Sequence, residues 1–268
     1  MRLVARGVTH GAMGLMSLFG KGPLSEKKIS KVSKLACNPF AQPDVRMQQM
    51  QKLFADQTEA AYRGVIRRLA ANASGAIADE DEKQWLEDAL VQAGEDVIGP
   101  LRDFIRQEKQ LTYALRAYTR LQGEEEAVRF FLEVMEKYGP EDYRGGEAKL
   151  QLVLQLQEST TDTRVIPALG PFLLDHSDDV RWAIMDMIEV AADAGSLSSE
   201  AQEALCTQLG ELVMDEAVGP RIQRRGAELV CKREWQILGD ATELPEILDE
   251  DYFLDKKRFV RRRIKKKS

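Results

Sequence analysis

Residues 165–192 read VIPALGPFLLDHSDDVRWAIMDMIEVAA, and this stretch predicts two helices joined by a tight acidic turn. In both halves the apolar residues recur at the i, i+3, i+4, i+7 spacing of one helix face. The two stripes are Val165, Ile166, Leu169, Phe172 and Leu173, and then Val180, Ala183, Ile184, Met187 and Ala191. Two facing stripes make a helical hairpin whose remaining apolar edges require neighbouring hairpins.

Prolines and short polar residues set the limits of these two helices. Pro167 falls in the first turn, where a missing N–H costs no hydrogen bond, whereas Pro171 is expected to bend or shorten the helix. Ser177 is a suitable cap for the second helix, and Asp178 and Asp179 place negative charge at its positive end.

The hairpin resembles the HEAT-repeat family, and the chain looks like a bacterial member of it; the usual pattern of this family is a proline in the first helix and Asp-Val-Arg at the start of the second. Pro167 and Asp179-Val180-Arg181 match this pattern, and Asp44-Val45-Arg46 repeats the triplet just after Pro43. Looser echoes are VIGPL at 97–101 and PRIQRR at 220–225. The resemblance covers residues 26–236 and implies an all-α fold, a right-handed α-solenoid in which helix pairs stack side by side.

Positions equivalent to Val180 recur at the pitch of a two-helix unit. They are Val45, Leu111, Ala148, Val180 and Ile222; the last four are separated by 37, 32 and 42 residues, and the 66 residues before Leu111 leave room for another repeat near Trp85 and Leu86. We therefore predict about six helix pairs: 26–37 with 43–55, 57–72 with 79–93, 95–107 with 109–121, 124–138 with 144–158, the stretch quoted above, and 198–214 with 218–236.

This scheme divides the chain into a flexible N-terminal arm (1–24), a solenoid (25–236), an acidic linker (237–255) and a basic C-terminal tail (256–268). The second helix of the fourth pair is apolar nearly all round, so we expect it to be the most buried helix. The arm contains GAMGLMSLFG, whose glycines interrupt any signal-peptide core. A weak membrane-surface helix is the alternative there, because apolar residues cluster at 15–19.

Composition favours an all-α protein and limits the functional classes. The hydrophobic content of 44% suffices for a core, and the charged content of 31% suits helices that each have one solvated face. A formal charge of −6 argues against nucleic-acid binding by the whole molecule. Cys37, Cys206 and Cys231 form no CxxC motif and suggest free thiols in the cytoplasm. No run reaches the ~20 apolar residues that a membrane span needs.

The end of the chain carries opposite charges in succession. Residues 239–255 are acidic, and nine cations follow: Lys256, Lys257, Arg258, Arg261, Arg262, Arg263, Lys265, Lys266 and Lys267. Without these nine the formal charge would be −15 instead of −6. The tail could bind nucleic acid, an anionic membrane or an acidic partner. Alternatively, it folds back on the acidic segment or only keeps the protein soluble.

The second helix of each pair would line the inner face of the solenoid. The candidates for partner binding on this face are Tyr113, Arg116, Arg120, Trp182, Met185, Arg224 and Arg225. For Trp182 and Met185 the alternative is burial against a neighbouring repeat. Arg46 and Arg181 are more simply explained as structural residues that bond within or between repeats, as the resemblance implies.

No catalytic motif is present, and we expect neither an enzyme nor a cofactor. His176 lies in a turn beside Asp175, without a nucleophile signature, and is best explained as an exposed turn residue. The sequence favours a cytoplasmic scaffold that binds a protein partner of unknown identity through the inner face. Binding of nucleic acid or an anionic surface by the tail is the alternative. A HEAT-like lyase or DNA glycosylase is a more remote alternative that the resemblance implies.

Overall fold

The computed structural model describes residues 22–238 and 243–264, which are mostly helical. The all-α prediction is therefore confirmed. The helices are α1 (Glu26–Ala36), α2 (Pro43–Phe54), α3 (Glu59–Ile66), α4 (Ala76–Ala93), α5 (Ile98–Gln107), α6 (Thr112–Gln122), α7 (Glu124–Met135), α8 (Gly146–Leu156), α9 (Val165–Leu169), α10 (Asp178–Asp193), α11 (Ser199–Met214) and α12 (Pro220–Arg233). Two short strands follow, β1 (Tyr252–Leu254) and β2 (Val260–Arg262).

Each even-numbered helix packs against the next one, in the order α2, α4, α6, α8, α10 and α12. The odd-numbered helices contact the even ones that follow them at α1–α2, α5–α6, α7–α8 and α11–α12. Helix α9 also contacts α10, together with the 3-10 turn Gly170–Leu174 that follows it. After α3, the 3-10 turn Arg67–Leu69 packs on α4. The helix pairs expected from the sequence are thus present, with helix ends shifted by a few residues.

The quoted stretch behaves as its apolar spacing predicts. Val165, Leu169, Val180 and Ile184 are all fully buried in one hydrophobic core that extends from α1 to β2. Helix α9 ends at Leu169 and gives way to the 3-10 turn that contains Pro171, because proline removes a helix hydrogen bond and crowds the preceding turn. The Ser177 side chain accepts a hydrogen bond from the Val180 amide, as expected for a cap.

Helix α8 differs from the expectation of burial on every side. Leu154 is 47% exposed, so the prediction that this helix is the most buried one is wrong in this respect. Helix α8 contacts α6, α7 and α10, and these neighbours leave one stripe of its surface uncovered. The buried side also holds a charge, because Lys149 Nζ lies 2.5 Å from Asp175 Oδ2 and both side chains are 0% exposed.

The segment after α12 is folded where the structure describes it. Strands β1 and β2 pair antiparallel, with Phe253 opposite Arg261, and β2 packs on α12. Leu248 and Val260 are buried in the core. The predicted border between an acidic linker and a basic tail, at residue 255, therefore falls inside a hairpin. The predicted N-terminal arm lies outside the described residues except for 22–24, and Lys265–Lys267 also lie outside them.

Candidate interaction surface

The arginines predicted on α6 are held by carboxylates of α4. Arg120 Nη1 lies 2.8 Å from Glu87 Oε1 and 2.7 Å from Asp88 Oδ1. One helical turn earlier, Arg116 Nη2 lies 3.0 Å from Glu87 Oε2 and donates to the Gln84 side chain. Glu87 is itself buried, so two exposed guanidinium groups balance a carboxylate that is withdrawn from water.

Tyr113 completes this row at the start of α6. Its hydroxyl donates to the Glu80 carboxylate, and burial followed by this hydrogen bond raises the tyrosine pKa to about 12. The guanidinium of Arg116 lies 5.4 Å from the centre of the Tyr113 ring. We call the whole row the α4–α6 ladder: Glu80, Gln84, Glu87 and Asp88 with Tyr113, Arg116 and Arg120.

A second row joins α10 to α12. Arg225 Nη2 lies 2.8 Å from Asp186 Oδ1 and 2.5 Å from Glu189 Oε2. Lys232 also pairs with Glu189, and the hydrogen bonds from Lys232 and Arg225 lower the pKa of this glutamate. Arg233 pairs with Asp193 and Glu189, and Arg221 lies 4.4 Å from the centre of the Trp182 ring. We call this row the α10–α12 ladder: Trp182, Asp186, Glu189 and Asp193 with Arg221, Arg225, Lys232 and Arg233.

Two of the predicted contact residues are placed differently. Met185 is 0% exposed, so its prediction as an inner-face residue is wrong. Helix α10 is packed by α8, α9, α12 and the 3-10 turn Gly170–Leu174, and these neighbours bury a wider arc than the expected stripe. Arg224 is exposed and lies apart from the ladder, where its Nη2 donates to the Ile247 carbonyl oxygen at 3.4 Å. Trp182 is half-buried beneath Arg221.

Two of the even-numbered helices each expose an apolar side chain. Leu154 on α8 is 47% exposed and Val190 on α10 is 54% exposed. Helix α8 contacts both α6 and α10, so Leu154 belongs to the helix that separates the ladders. Neither residue was predicted as a contact. The signal for Leu154 was present in the sequence, since a helix that is apolar on all sides must expose some of its apolar side chains unless it is fully enclosed.

The first two helix pairs are joined by buried charges. Arg46 and Arg68 are both 0% exposed and both donate to Glu82, with Nη2–carboxylate distances of 2.8 and 2.7 Å. Arg68 also pairs with Asp79. Burial would raise the Asp79 pKa, but hydrogen bonds from Lys83, the Ala73 amide and Arg68 outweigh it and lower that pKa. This geometry supports the structural interpretation of Arg46 and leaves it no access to a ligand.

The basic residues of the C-terminal hairpin differ in the contacts that they make within the chain. Arg261 pairs with Asp255 and Glu234, and Arg263 lies 3.5 Å from Asp249. Arg258 donates to the Ile237 carbonyl oxygen. Lys256, Lys257 and Arg262 are exposed, and none of the three forms an ion pair with the described part of the chain. Among the described residues of the basic segment, Arg261 and Arg263 thus contact acidic residues, in line with the alternative that this segment folds back on the acidic one.

The histidine and the three cysteines that the structure describes lie in different parts of the fold. His176 is exposed, and its Nε2 lies 3.1 Å from the Glu141 carbonyl oxygen. The three cysteines are free, and burial raises the pKa of Cys37 and Cys206. Within residues 22–238 and 243–264, no group of three His, Cys, Asp or Glu side chains is arranged to hold a metal ion. The helices in these ranges also include none with both the length and the apolar character needed to cross a membrane.

Comparison of the chain with protein-family models, with curated proteins and with solved structures finds no match in any of the three. Any functional proposal therefore depends on the packing and the surface chemistry described above.

Proposed function

We propose that this chain is a right-handed α-solenoid of the HEAT-repeat type and that it works as a scaffold in the cytoplasm. The consecutive packing of α2, α4, α6, α8, α10 and α12 supports the solenoid, because each unit of such a fold contacts mainly its neighbours. The free cysteines fit a reducing compartment. In this proposal the even-numbered helices form the inner wall on which a protein partner binds.

The observation that carries the proposal is the exposure of Leu154 and Val190 on that wall, on α8 and α10. Apolar side chains at the centre of a contact supply most of the binding free energy once water is excluded, whereas charged groups at the rim mainly set orientation and rate. The two ladders provide such a rim. Their charges already form ion pairs within the chain, so a partner gains little by contacting them directly and gains more by covering Leu154 and Val190.

The test is affinity purification from native cells with quantitative mass spectrometry, comparing the wild type with Leu154→Glu. This side chain is half in solvent, so a charged replacement should leave the helical circular dichroism spectrum unchanged. We expect a defined set of proteins to be recovered with the wild type and to fall at least tenfold with the variant.

A matched control is Ile247→Glu, which changes a side chain of similar exposure, 40%, after α12. Recovery that falls equally with both variants, or with neither, would contradict a partner site on the even-numbered helices.

A second candidate function is binding of a nucleic acid by the C-terminal hairpin. Phe253 is 38% exposed and pairs across the strands with Arg261, whose guanidinium lies 4.9 Å from the centre of the Phe259 ring. Arg263 lies 5.5 Å from the centre of the Phe253 ring. Arginines that alternate with aromatic rings on one strand face can contact phosphates and stack on bases. The unpaired Lys256 adds to the positive charge.

The measurement is retention of the full chain on immobilised single-stranded DNA over a salt gradient, for the wild type and Lys256→Glu/Lys257→Glu. The matched control is Lys27→Glu/Lys28→Glu, which reverses two exposed lysines of α1. Loss of retention only with the hairpin variant supports this function. The variant would form fewer phosphate contacts, and its binding would therefore be weaker and less dependent on salt. Equal retention of all three proteins excludes it.

A further inference from the structure

Two of the most exposed apolar side chains lie on neighbouring turns at the first two helix pairs. Phe40, between α1 and α2, is 87% exposed, and Ile77, at the start of α4, is 82% exposed. The two turns are joined directly, because the Ser74 amide and hydroxyl both donate to the Pro39 carbonyl oxygen, at 3.1 and 2.7 Å. The chain therefore presents both side chains from one edge, on helix pairs other than those that carry Leu154 and Val190.

The buried ion cluster holds this edge in place from below. Arg46 donates to the Ala41 carbonyl oxygen next to Phe40, and Arg68 Nη1 donates to the Ala71 carbonyl oxygen at 2.5 Å. On the same turn, Asp79 Oδ1 accepts a hydrogen bond from the Ala73 amide at 2.8 Å. Both turns are thus fixed before any partner arrives, and a preformed surface loses less conformational entropy on binding.

The charges beside these side chains indicate which partner fits. Asp44 lies in the first turn of α2 and Asp81 lies one helical turn after Ile77. Both are exposed, and neither has an ion pair with another described residue. A complementary segment would carry Lys or Arg directly beside an apolar side chain. An anionic partner is disfavoured, because it would be repelled by both carboxylates.

This chain carries such a segment at its other end. Ile264 is 94% exposed, follows Arg262 and Arg263, and precedes Lys265–Lys267 in the sequence. We propose that the edge formed by Phe40, Ile77, Asp44 and Asp81 docks the C-terminal segment of a second copy of this chain.

The apolar contact would be Ile264 between Phe40 and Ile77, and the flanking cations would pair with the two carboxylates. Because the two patches differ, the contact joins the tail of one copy to the edge of another, either in an open row of copies or reciprocally between two copies. The proposal does not depend on the partner surface of the even-numbered helices.

The direct test is binding of a fluorescein-labelled peptide of sequence VRRRIKKKS, residues 260–268, to the full chain, followed by fluorescence anisotropy. We expect saturable binding that weakens at least tenfold with Phe40→Ser/Ile77→Ser and with Asp44→Asn/Asp81→Asn. A peptide with aspartate in place of its isoleucine should bind at least tenfold more weakly, which separates docking from simple charge attraction. Leu154→Glu is the control and should bind the peptide as the wild type does.

Sedimentation velocity of the full chain then tests the contact between whole molecules. We expect the mean sedimentation coefficient to rise with protein concentration at low salt, and to stay at the monomer value for Phe40→Ser/Ile77→Ser. High salt should also abolish the rise, because the carboxylate–cation attraction is screened. Peptide binding that is equal in wild type and edge variants, or a wild-type chain that remains monomeric at low salt, would overturn the proposal. Neither result bears on the proposed partner site of the even-numbered helices, which the purification with Leu154→Glu tests separately.

Discussion

Glu82→Gln is the substitution that tests most directly how the first helix pairs are held together. The Glu82 side chain is 3% exposed and accepts hydrogen bonds from Arg46 at 2.8 to 3.1 Å and from Arg68 at 2.7 and 3.1 Å. Glutamine has nearly the same shape, but it carries no charge and points an NH₂ group at a donor. Arg46 would then have no carboxylate partner inside the core, and only neutral acceptors would remain to it: the Ala41 carbonyl oxygen and the single carbonyl oxygen of the glutamine.

The expected loss follows from this geometry. Removing one partner of a buried ion pair costs about 3–5 kcal/mol, because the remaining charge stays buried without compensation. Arg68 retains Asp79, which lies 2.7 Å from its Nη2, so only one of the two arginines loses its carboxylate completely. We therefore expect a loss of about 3 kcal/mol, toward the lower end of that range.

Urea unfolding followed by circular dichroism measures the total loss, and hydrogen exchange with mass spectrometry locates it. In a stack of helix pairs each unit depends on its neighbours, so the loss should be concentrated where the cluster lies. Amides of α2 and α4 should exchange faster in the variant, and amides of α11 should be unchanged.

The control is Glu59→Gln, which removes a carboxylate that is 67% exposed and pairs with Arg63 one helical turn away. Exposed pairs of this kind contribute about 0.3–0.5 kcal/mol. A loss below about 1 kcal/mol for Glu82→Gln would refute the reasoning, because a buried pair would then cost no more than an exposed one. Faster exchange spread evenly over all helices would refute the stacked arrangement.

Three further substitutions test other parts of the structure. Lys149→Met removes the cation that pairs with Asp175, whose carboxylate is 0% exposed. The free energy of unfolding, measured by urea titration, should fall by about 3–5 kcal/mol. A change under about 1 kcal/mol would contradict the burial of this ion pair. Hydrogen bonds from two cations of α12 lower the pKa of Glu189 below its ordinary 4.5. The ionised Glu189 carboxylate therefore contributes stability above pH 4.5, and this contribution is lost as the pH falls through the lowered pKa. We expect the wild type to melt at a higher temperature than Glu189→Gln, and this difference should shrink below pH 4.5. A constant difference from pH 7 to pH 3 would exclude this linkage. In Gly210→Ala the new Cβ would lie 2.8 Å from the Leu238 carbonyl oxygen, which should destabilise the chain by about 1–3 kcal/mol. In the control, Gly99→Ala, the new Cβ would have no atom within 4 Å, so we expect no such loss. Equal melting temperatures for the two variants would show that the C-terminal segment does not pack on α11.

The helices could be predicted from the sequence because their determinants are local. The apolar spacing around Val180, the cap at Ser177 and the break at Pro171 act within a few residues, and the structure confirms each of them. The predicted partner site is not confirmed in the same way. Met185 is buried, contrary to the prediction. The number of helices packed around α10 sets the width of its buried face, and that number cannot be read from the sequence of α10 alone.

The sequence by itself determined that this chain forms paired helices and that its end carries opposite charges in succession. Only the tertiary structure decided which charges are available. Arg116 and Arg225 turn out to balance carboxylates of the preceding even-numbered helix, 29 or more residues away along the chain, whereas Leu154 and Phe40 remain exposed. The physical reason is that pairing and burial depend on distances between segments far apart in sequence, and no local pattern of residue types specifies those distances.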